Sequence, residues 1–547
     1  MVRINKIKHA AFVVITASLL LYAQGCSSPK SSSGKNTAVS KTDKKPTGDI
    51  YAEHVRTSNF QTPEEELKSF TLPPGFEITL FASEPDITKP MNMEFDDRGR
   101  LWVTQSSEYP MAAGMGDGKD RITILEDKNG DGKADTFTNF DDNLNIPIGI
   151  MPVADGAIAY SIPNLYYFKD ENNDGKADSK KVLLGPFGHK DTHGMVNNLM
   201  RGYDGWLQVC HGFSNISNIA GADGDSVKMQ SGNTFRVRLD GSRVEQTTFG
   251  RVNPFGYAYD ERGYLYSVDC HTKPITQLIF GGDYPHFGKK APAGLGFAPE
   301  MMSYDLGSTA LAGLVYYTGT QFPEQYRNSF YTGDVVTCRI DRNTITYKGS
   351  TPASKKEDPF LISKDPWFRP VDVKLGPDGA LYIADFYNRI IGHYEVALNH
   401  PGRDRLSGRI WKITYKGDQA HKDMAVTDWS KATIDQLLEG LKHPQLNTRL
   451  KVADRIVDTW GDKAVNPVKK MLTSNSQEQL VHGMWILHRL NALDDQIMEK
   501  ALNHSDPVVQ VHALRVLKER KVLDKQFDAA LLHALASADP FVKRTAV

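Results

Sequence analysis

WFRPVDVKLGPDGALYIADFYNRIIGHYE, residues 367–395, contains a complete β-hairpin. Pro370 to Leu375 is one apolar run, Gly376-Pro-Asp-Gly379 is turn chemistry, and Ala380 to Ala384 is a second apolar run. Proline presets φ within such a turn, and its closing glycine tolerates left-handed backbone. Little polar surface interrupts either run, so both faces of the hairpin are expected to be buried. Counting back nine residues from a turn glycine finds proline repeatedly: Gly99 and Pro90, Gly156 and Pro147, Gly263 and Pro254, Gly379 and Pro370. The following strands match too, as Arg-Leu-Trp-Val after Gly99, Tyr-Leu-Tyr-Ser after Gly263 and Ala-Leu-Tyr-Ile after Gly379. A looser copy surrounds Gly205 (GYDGWLQV), and a weaker one lies at Gly313 (GLVYYTGTQF). Six related hairpins, roughly 50 residues apart, have the period of a β-propeller blade.

The propeller is expected within residues 63–418 of the 547-residue chain. A strand from Phe76 to Ala82 precedes the first full hairpin and is expected to complete the last blade, since an unpaired edge invites aggregation. The formal net charge of -1 leaves no footprint for nucleic acid or an anionic membrane. Four cysteines in this length do not make a disulfide scaffold.

At the start, Arg3, Lys6 and Lys8 precede an apolar run from Ala10 to Ala23, then Gln24-Gly25-Cys26. This is an export signal, residues 1–25. It resembles a bacterial lipobox, which implies cleavage before Cys26, lipidation of that residue, and a place in the bacterial cell envelope. Residues 26–62 are rich in Ser, Lys and Thr and read as a flexible tether.

Two blades carry a second repeat. Asp127, Asn129, Asp131 and Asp135, with Gly132, recur as Asp170, Asn172, Asp174 and Asp178, with Gly175. Oxygens at places 1, 3, 5 and 9 and glycine at 6 match an EF-hand-type Ca²⁺ loop; Thr138 and Lys181 stand where its bidentate glutamate belongs. Such loops also form as ordinary Asx-rich turns. Beyond Tyr415 the period becomes helical, and Ala453, Gly483, Ala513 and Ala546 mark equivalent places 30, 30 and 33 residues apart. Residues 425–547 are therefore expected to form an α-solenoid of HEAT type, with further repeats following Val547.

In a propeller the innermost strand begins, and the next strand ends, at one rim. Lys89, Ile146, Asn253 and Arg369 should meet Gln105, His211, Asp269 and Asp385 there, joined by His193, Arg251, Arg389 and His393. Ionisable groups at the ends of buried strands suit a functional mouth. Any one of them could equally satisfy loop backbone groups.

The segments HGMVNNLMRGYDGWLQV, NPFGYAYDERGYLYSVD and RPVDVKLGPDGALYIADF resemble the soluble glucose dehydrogenase and sorbosone dehydrogenase propellers. Closer still is a group of membrane-bound dehydrogenases in which such a propeller precedes HEAT-like repeats and often a cytochrome c domain. The resemblance covers residues 70–547 and implies six blades with pyrroloquinoline quinone (PQQ) at the mouth. His193 would be the general base, and Lys89, Arg251, Asn253, Arg369, Asp385 and Arg389 would surround the cofactor. Where the family's arginine directly precedes Asn-Pro, this chain has Val252, with Arg251 one place earlier. A carbohydrate or alcohol substrate and a cytochrome-type electron acceptor follow from the same resemblance. No C-x-x-C-H haem motif occurs in this chain. Two other functions remain open: a calcium-dependent lactonase-like hydrolase using Asp269, Asp385, Asn253 and His211, and a non-catalytic lipoprotein that binds glycans or partners.

Overall fold

The computed structural model describes residues 54–270, 275–285, 310–392, 396–418, 424–474, 476–520 and 524–547. The chain divides into two units, Met1–Ile50 and Tyr51–Val547, and everything below concerns the second. The signal sequence, Cys26, the tether up to residue 53 and His393 lie outside the described residues.

Six sheets stand around one axis, antiparallel except where Gly282–Tyr284 joins Val244–Gly250 in parallel at the edge of the third. Their innermost strands are Pro90–Phe95, Ile148–Val153, Asn197–Arg201, Pro254–Tyr259, Leu311–Tyr316 and Pro370–Leu375. Each neighbours the next, and the sixth returns to the first, so the ring is closed. Closure uses the N-terminal strand as expected: Phe76–Ser83 pairs with Arg409–Tyr415 on the outer side of blade 6. The short helix α1 (Pro63–Leu67) buttresses that seam by placing the buried Glu66 against Arg409.

All six inner strands carry a bulge near their start. It brings Asn92, Gly149, Asn198, Gly256, Gly313 and Asp372 around the axis. The Asn92 amide donates to Asp372 at 3.2 Å and to Asn198 at 3.5 Å, and its carbonyl accepts the Gly149 N–H at 2.9 Å. Gly313 belongs to this ring and not to a hairpin turn, which corrects the weakest of the hairpin assignments. Its φ is +68°, and a Cβ there would stand 2.7 Å from the Asp372 Cα. Two demands, left-handed backbone and close approach, therefore fix the glycine. The turn of blade 5 is the longer segment 317–328.

About eight helices follow: α2 (Ile434–Gly440), α3 (Leu446–Arg455), α4 (Val465–Met471), α5 (Gln477–Arg489), α6 (Asp495–Leu502), α7 (Pro507–Glu519), α8 (Asp528–Leu535) and α9 (Pro540–Ala546). Helices α3, α5, α7 and α9 make one layer, which folds back beneath the propeller against the hairpin turns. Lys451 pairs with Glu94 at 2.6 Å, Arg455 with Asp97 at 3.2 Å, and Arg236 with Glu519 at 2.9 Å. Tyr203, Tyr264 and Tyr266 of the blades share one apolar core with Trp485, Leu514 and Phe541 of the helices. Burial of that aromatic surface, at about 25 cal/mol per Å², is the main force holding the two parts together.

Candidate functional site

The ring has two poles. At the turn pole, α3 lies across the axis and encloses a cavity of about 90 Å³ among Glu94, Met151, Met200, Leu314, Lys374 and Leu450. Its charges are matched, for Glu94 takes both Lys374 at 3.4 Å and Lys451 at 2.6 Å. Lys89, His193, Arg251, Asn253, Arg369, Asp385 and Arg389 all belong to the opposite, entry pole.

Much of that set is structural. Gln105 accepts the Thr88 N–H at 2.7 Å, Asp269 those of Val252 and Asn253 at 2.9 and 3.0 Å, and Asp385 that of Arg369 at 2.8 Å. One device thus recurs: a polar residue ending the second strand latches the backbone that leads into the first. It is needed because Val252, Asn253 and Arg369 are buried and Thr88 is half-buried, so their N–H groups have little access to water. Lys89 is fully buried and donates to Phe386 O at 3.0 Å, to Tyr387 O, and to Asp404 at 2.6 Å. Those partners occupy its three donors. Burial nevertheless pulls its ammonium down to about 8, against the pull of Asp404. Arg251 points inward, with Nη2 on Ser267 O at 3.3 Å and Nε 3.4 Å from Asp269. Arg389 Nε donates to Arg56 O.

His193 is different. Its imidazole is about one-fifth exposed, and Nδ1 lies 3.7 Å from the buried Asp191 carboxylate. Asp191 is held by Asn215, which accepts the Asp191 N–H at 3.0 Å and donates to its carbonyl at 2.8 Å. Asn253 donates to His193 O at 3.0 Å, fixing the backbone from the next blade. The imidazole stands 4.9 Å from the Tyr109 ring, which is 5.6 Å from Phe386. Blades 1, 3 and 6 therefore contribute one aromatic-walled patch containing a carboxylate-backed imidazole. Such an arrangement sets a carboxylate charge where it would steady the imidazolium once formed. Sequence reasoning singled out His193 but neither Asp191 nor Tyr109. The Asp-x-His spacing at 191–193 was the available signal.

The acidic loops form the outer hairpins of blades 1 and 2. Asp127 accepts the N–H groups of Gly130 and Gly132 at 2.7 and 2.8 Å, and Asp170 those of Asp174 and Gly175, both at 3.0 Å. Asn129, Asp131, Asp135, Asn172, Asp174 and Asp178 also accept backbone N–H groups of their own loops. Each loop reaches sideways as well: Ala134 N–H donates to Phe81 O at 2.9 Å and Ala177 N–H to Phe140 O at 2.8 Å, stitching neighbouring blades. Among the described residues, no group of three or more His, Cys, Asp or Glu side chains is arranged to hold a metal ion. That includes the axial set considered for a hydrolase: both ring nitrogens of His211 are committed, to Ser231 O and Ser217 Oγ at 2.8 Å each.

The fold and this entry-pole patch define a six-bladed propeller with a helical C-terminal region. The chain belongs to the family described as a domain of unknown function, DUF7133, whose model matches residues 62–417. No curated protein matches it. Solved structures similar to it include an oxidoreductase described as a glucose dehydrogenase from Thermus thermophilus, 16% identical, covering 62% of this chain and 100% of its own, with a TM-score of 0.42. The PQQ-bound aldose sugar dehydrogenase of Streptomyces coelicolor is 16% identical over 63% of this chain and 99% of its own, with a TM-score of 0.40. A protein described as a gluconolactonase is 14% identical over 64% and 95%, with a TM-score of 0.36.

Proposed function

We propose that this chain is an exported, lipid-anchored dehydrogenase-like propeller that oxidises a carbohydrate or alcohol hydroxyl at the entry pole. The Asp191–His193 pair beside Tyr109 and Phe386 is the observation that carries the reading. His193 Nε2 takes the hydroxyl proton while Asp191 orients the ring and balances its charge. Tyr109 and Phe386 offer apolar faces of the kind on which sugar rings rest. PQQ fits the surrounding residues in part. Arg369 keeps Nε and Nη2, and Arg251 keeps Nη1, without hydrogen-bond partners, and these could meet its carboxylates. Lys89 has no donor left, and Arg389 is committed to the backbone. Bound there, the quinone would supply the hydride acceptor. The electron acceptor beyond it is a cytochrome, the lipid is carried on Cys26, the helices are of HEAT type, and the outer loops take Ca²⁺; each of these belongs to the proposal.

The test is reconstitution of purified protein with PQQ and Ca²⁺, followed by dye reduction across aldoses and alcohols. Reduction by the native chain and a loss of about 10²- to 10⁴-fold in His193→Ala are expected. No reduction with any substrate, together with no retained quinone absorbance, removes the dehydrogenase reading.

A further inference from the structure

Buried polar atoms without partners concentrate where residues 56–60 cross blades 5 and 6. Arg56 Nε, Ser58 Oγ, Thr337 Oγ1, Trp367 Nε1, and both Nε and Nη2 of Arg369 are buried and make no hydrogen bond. The remaining contacts of the two arginines bring them to one segment, 336–338, which contains Thr337; Ser58 follows Arg56, and Trp367 precedes Arg369, by two residues. Arg56 Nη2 donates to Val336 O at 3.3 Å, beside Thr337. Arg369 Nη1 donates to Cys338 Sγ at 3.0 Å and to Phe368 O at 2.8 Å. Phe60 stands edge-on to Trp367 at 6.1 Å. The carboxylates around the junction are taken: Asp385 receives the Arg369 N–H, the Tyr387 N–H and the Trp411 Nε1–H, Asp365 the Trp367 N–H and the Tyr387 hydroxyl, and Asp334 the N–H groups of Val336 and Thr337.

Four of the six atoms are obligate donors, and the two hydroxyls can donate. The Arg56 and Arg369 guanidinium groups both reach the 336–338 segment, and among the described residues no carboxylate is paired with either, the Asp385 charge acting on Arg369 only from a distance. Burial, joined by the charge of Arg56, draws the Arg369 guanidinium below its ordinary range. Uncompensated buried charge is costly, and native structures seldom leave several donors unmatched in one place. Planar guanidinium groups, an indole N–H and two hydroxyls are complementary to an oxyanion.

We propose that Arg56, Ser58, Thr337, Trp367 and Arg369 form a binding site for a small oxyanion, a phosphate or carboxylate group. Arg56 is only half-buried and supplies the way in. The site shares Arg369 alone with the quinone reading and stands without it. Four of its five residues lie outside the blade positions that define the mouth, and two precede the propeller.

The full chain is studied at constant ionic strength in chloride, with inorganic phosphate and malonate added separately, by calorimetry and thermal denaturation. One saturable site per chain is expected, weakened at least about tenfold in Arg56→Gln. In chloride alone Arg56→Gln should melt at or above the native temperature, because a charge that repels the buried Arg369 has gone. In saturating anion the order should reverse. That crossing separates an anion site from a merely structural arginine, which would lower melting in both buffers and overturn the proposal. Should Arg56→Gln not fold, Thr337→Val serves: weaker anion binding with unchanged melting in chloride supports the site, and unchanged binding overturns it. Phosphate binding tighter than malonate assigns a free phosphate, and the reverse assigns an organic acid. No saturable effect of either anion refutes the site. His193→Ala should bind the anion normally, so failure of the dehydrogenase reading would leave this one standing.

Discussion

Glu108 shows what single side chains at the entry pole contribute. Its Oε1 accepts the Lys119 N–H at 3.2 Å, and its Oε2 is buried without a partner. Burial first, and then the charge of Asp120, push this carboxyl up to about 7. An unfolded glutamate loses its proton near 4.3, so between about 4.3 and 7 the folded state holds more protons than the unfolded one. The contribution of this one group to stability must then fall as pH rises through that window. Glu108→Gln is expected to remove this contribution, so that the melting temperature of the variant rises relative to that of the native chain as pH goes from about 4.5 to 7; a difference between the two that does not change with pH would exclude the assignment. The neighbouring residues show why a site is only half legible in sequence. Spacing correctly brought Lys89, Asn253 and Arg369 to the strand ends that meet Gln105, Asp269 and Asp385. It could not say which way each side chain turns. Asp269 and Asp385 turn onto backbone N–H groups, Lys89 turns onto two carbonyls, and only three-dimensional packing decides this.

At the scale of the element, the acidic outer loops hold their shape through their own hydrogen bonds. Removing the Asp170 carboxylate would orphan the Asp174 and Gly175 N–H groups and loosen the Ala177 link to blade 1. Asp170→Ala is therefore expected to cost about 1–3 kcal/mol even with chelator present, measured by denaturant unfolding. If Ca²⁺ binds as proposed, it should raise the native midpoint and leave that of the variant nearly unchanged; equal gains in both would place the ion elsewhere. The hairpins themselves were readable because a turn glycine, a proline nine residues earlier and two apolar runs form a distinctive pattern. Blade 5 escaped that pattern, since a bulge glycine and a turn glycine look alike in sequence. Gly313 proved to be the counterpart of Gly149 and Gly256, and only the partnering of Leu311–Tyr316 with Ser329–Asp334 reveals it.

On the scale of the molecule, the helices are legible as helices but their docking is not. The charges that anchor them to the blades, among them Arg201 with Asp454 and Asp458, and Arg449 with Glu261, read in sequence as solvated surface. Two histidines make the same interface sensitive to acid. His482 stacks on Tyr203 at 5.1 Å and receives Arg449 Nε at 3.4 Å. His512 accepts the Trp485 indole N–H at Nδ1, 3.0 Å away, so a proton there would set donor against donor. Every cation facing the pair opposes protonation: Arg449 from α3, Arg489 from α5 and Arg515 from α7. The facing acid, Glu261, is already held by Arg449. Burial, reinforced by these arginines, keeps both imidazoles well below 6.5. The unfolded chain takes up those protons below about 6.5 while burial opposes this in the folded chain, so stability should drop as pH falls below about 6.5. Trp485 fluorescence followed through urea unfolding at pH 7 and pH 5 measures this. In His512→Asn the amide oxygen can still accept the indole N–H but cannot be protonated. About half of the acid loss should then disappear while stability at pH 7 changes little; an undiminished loss in that variant would show that the interface owes its acid sensitivity to other groups.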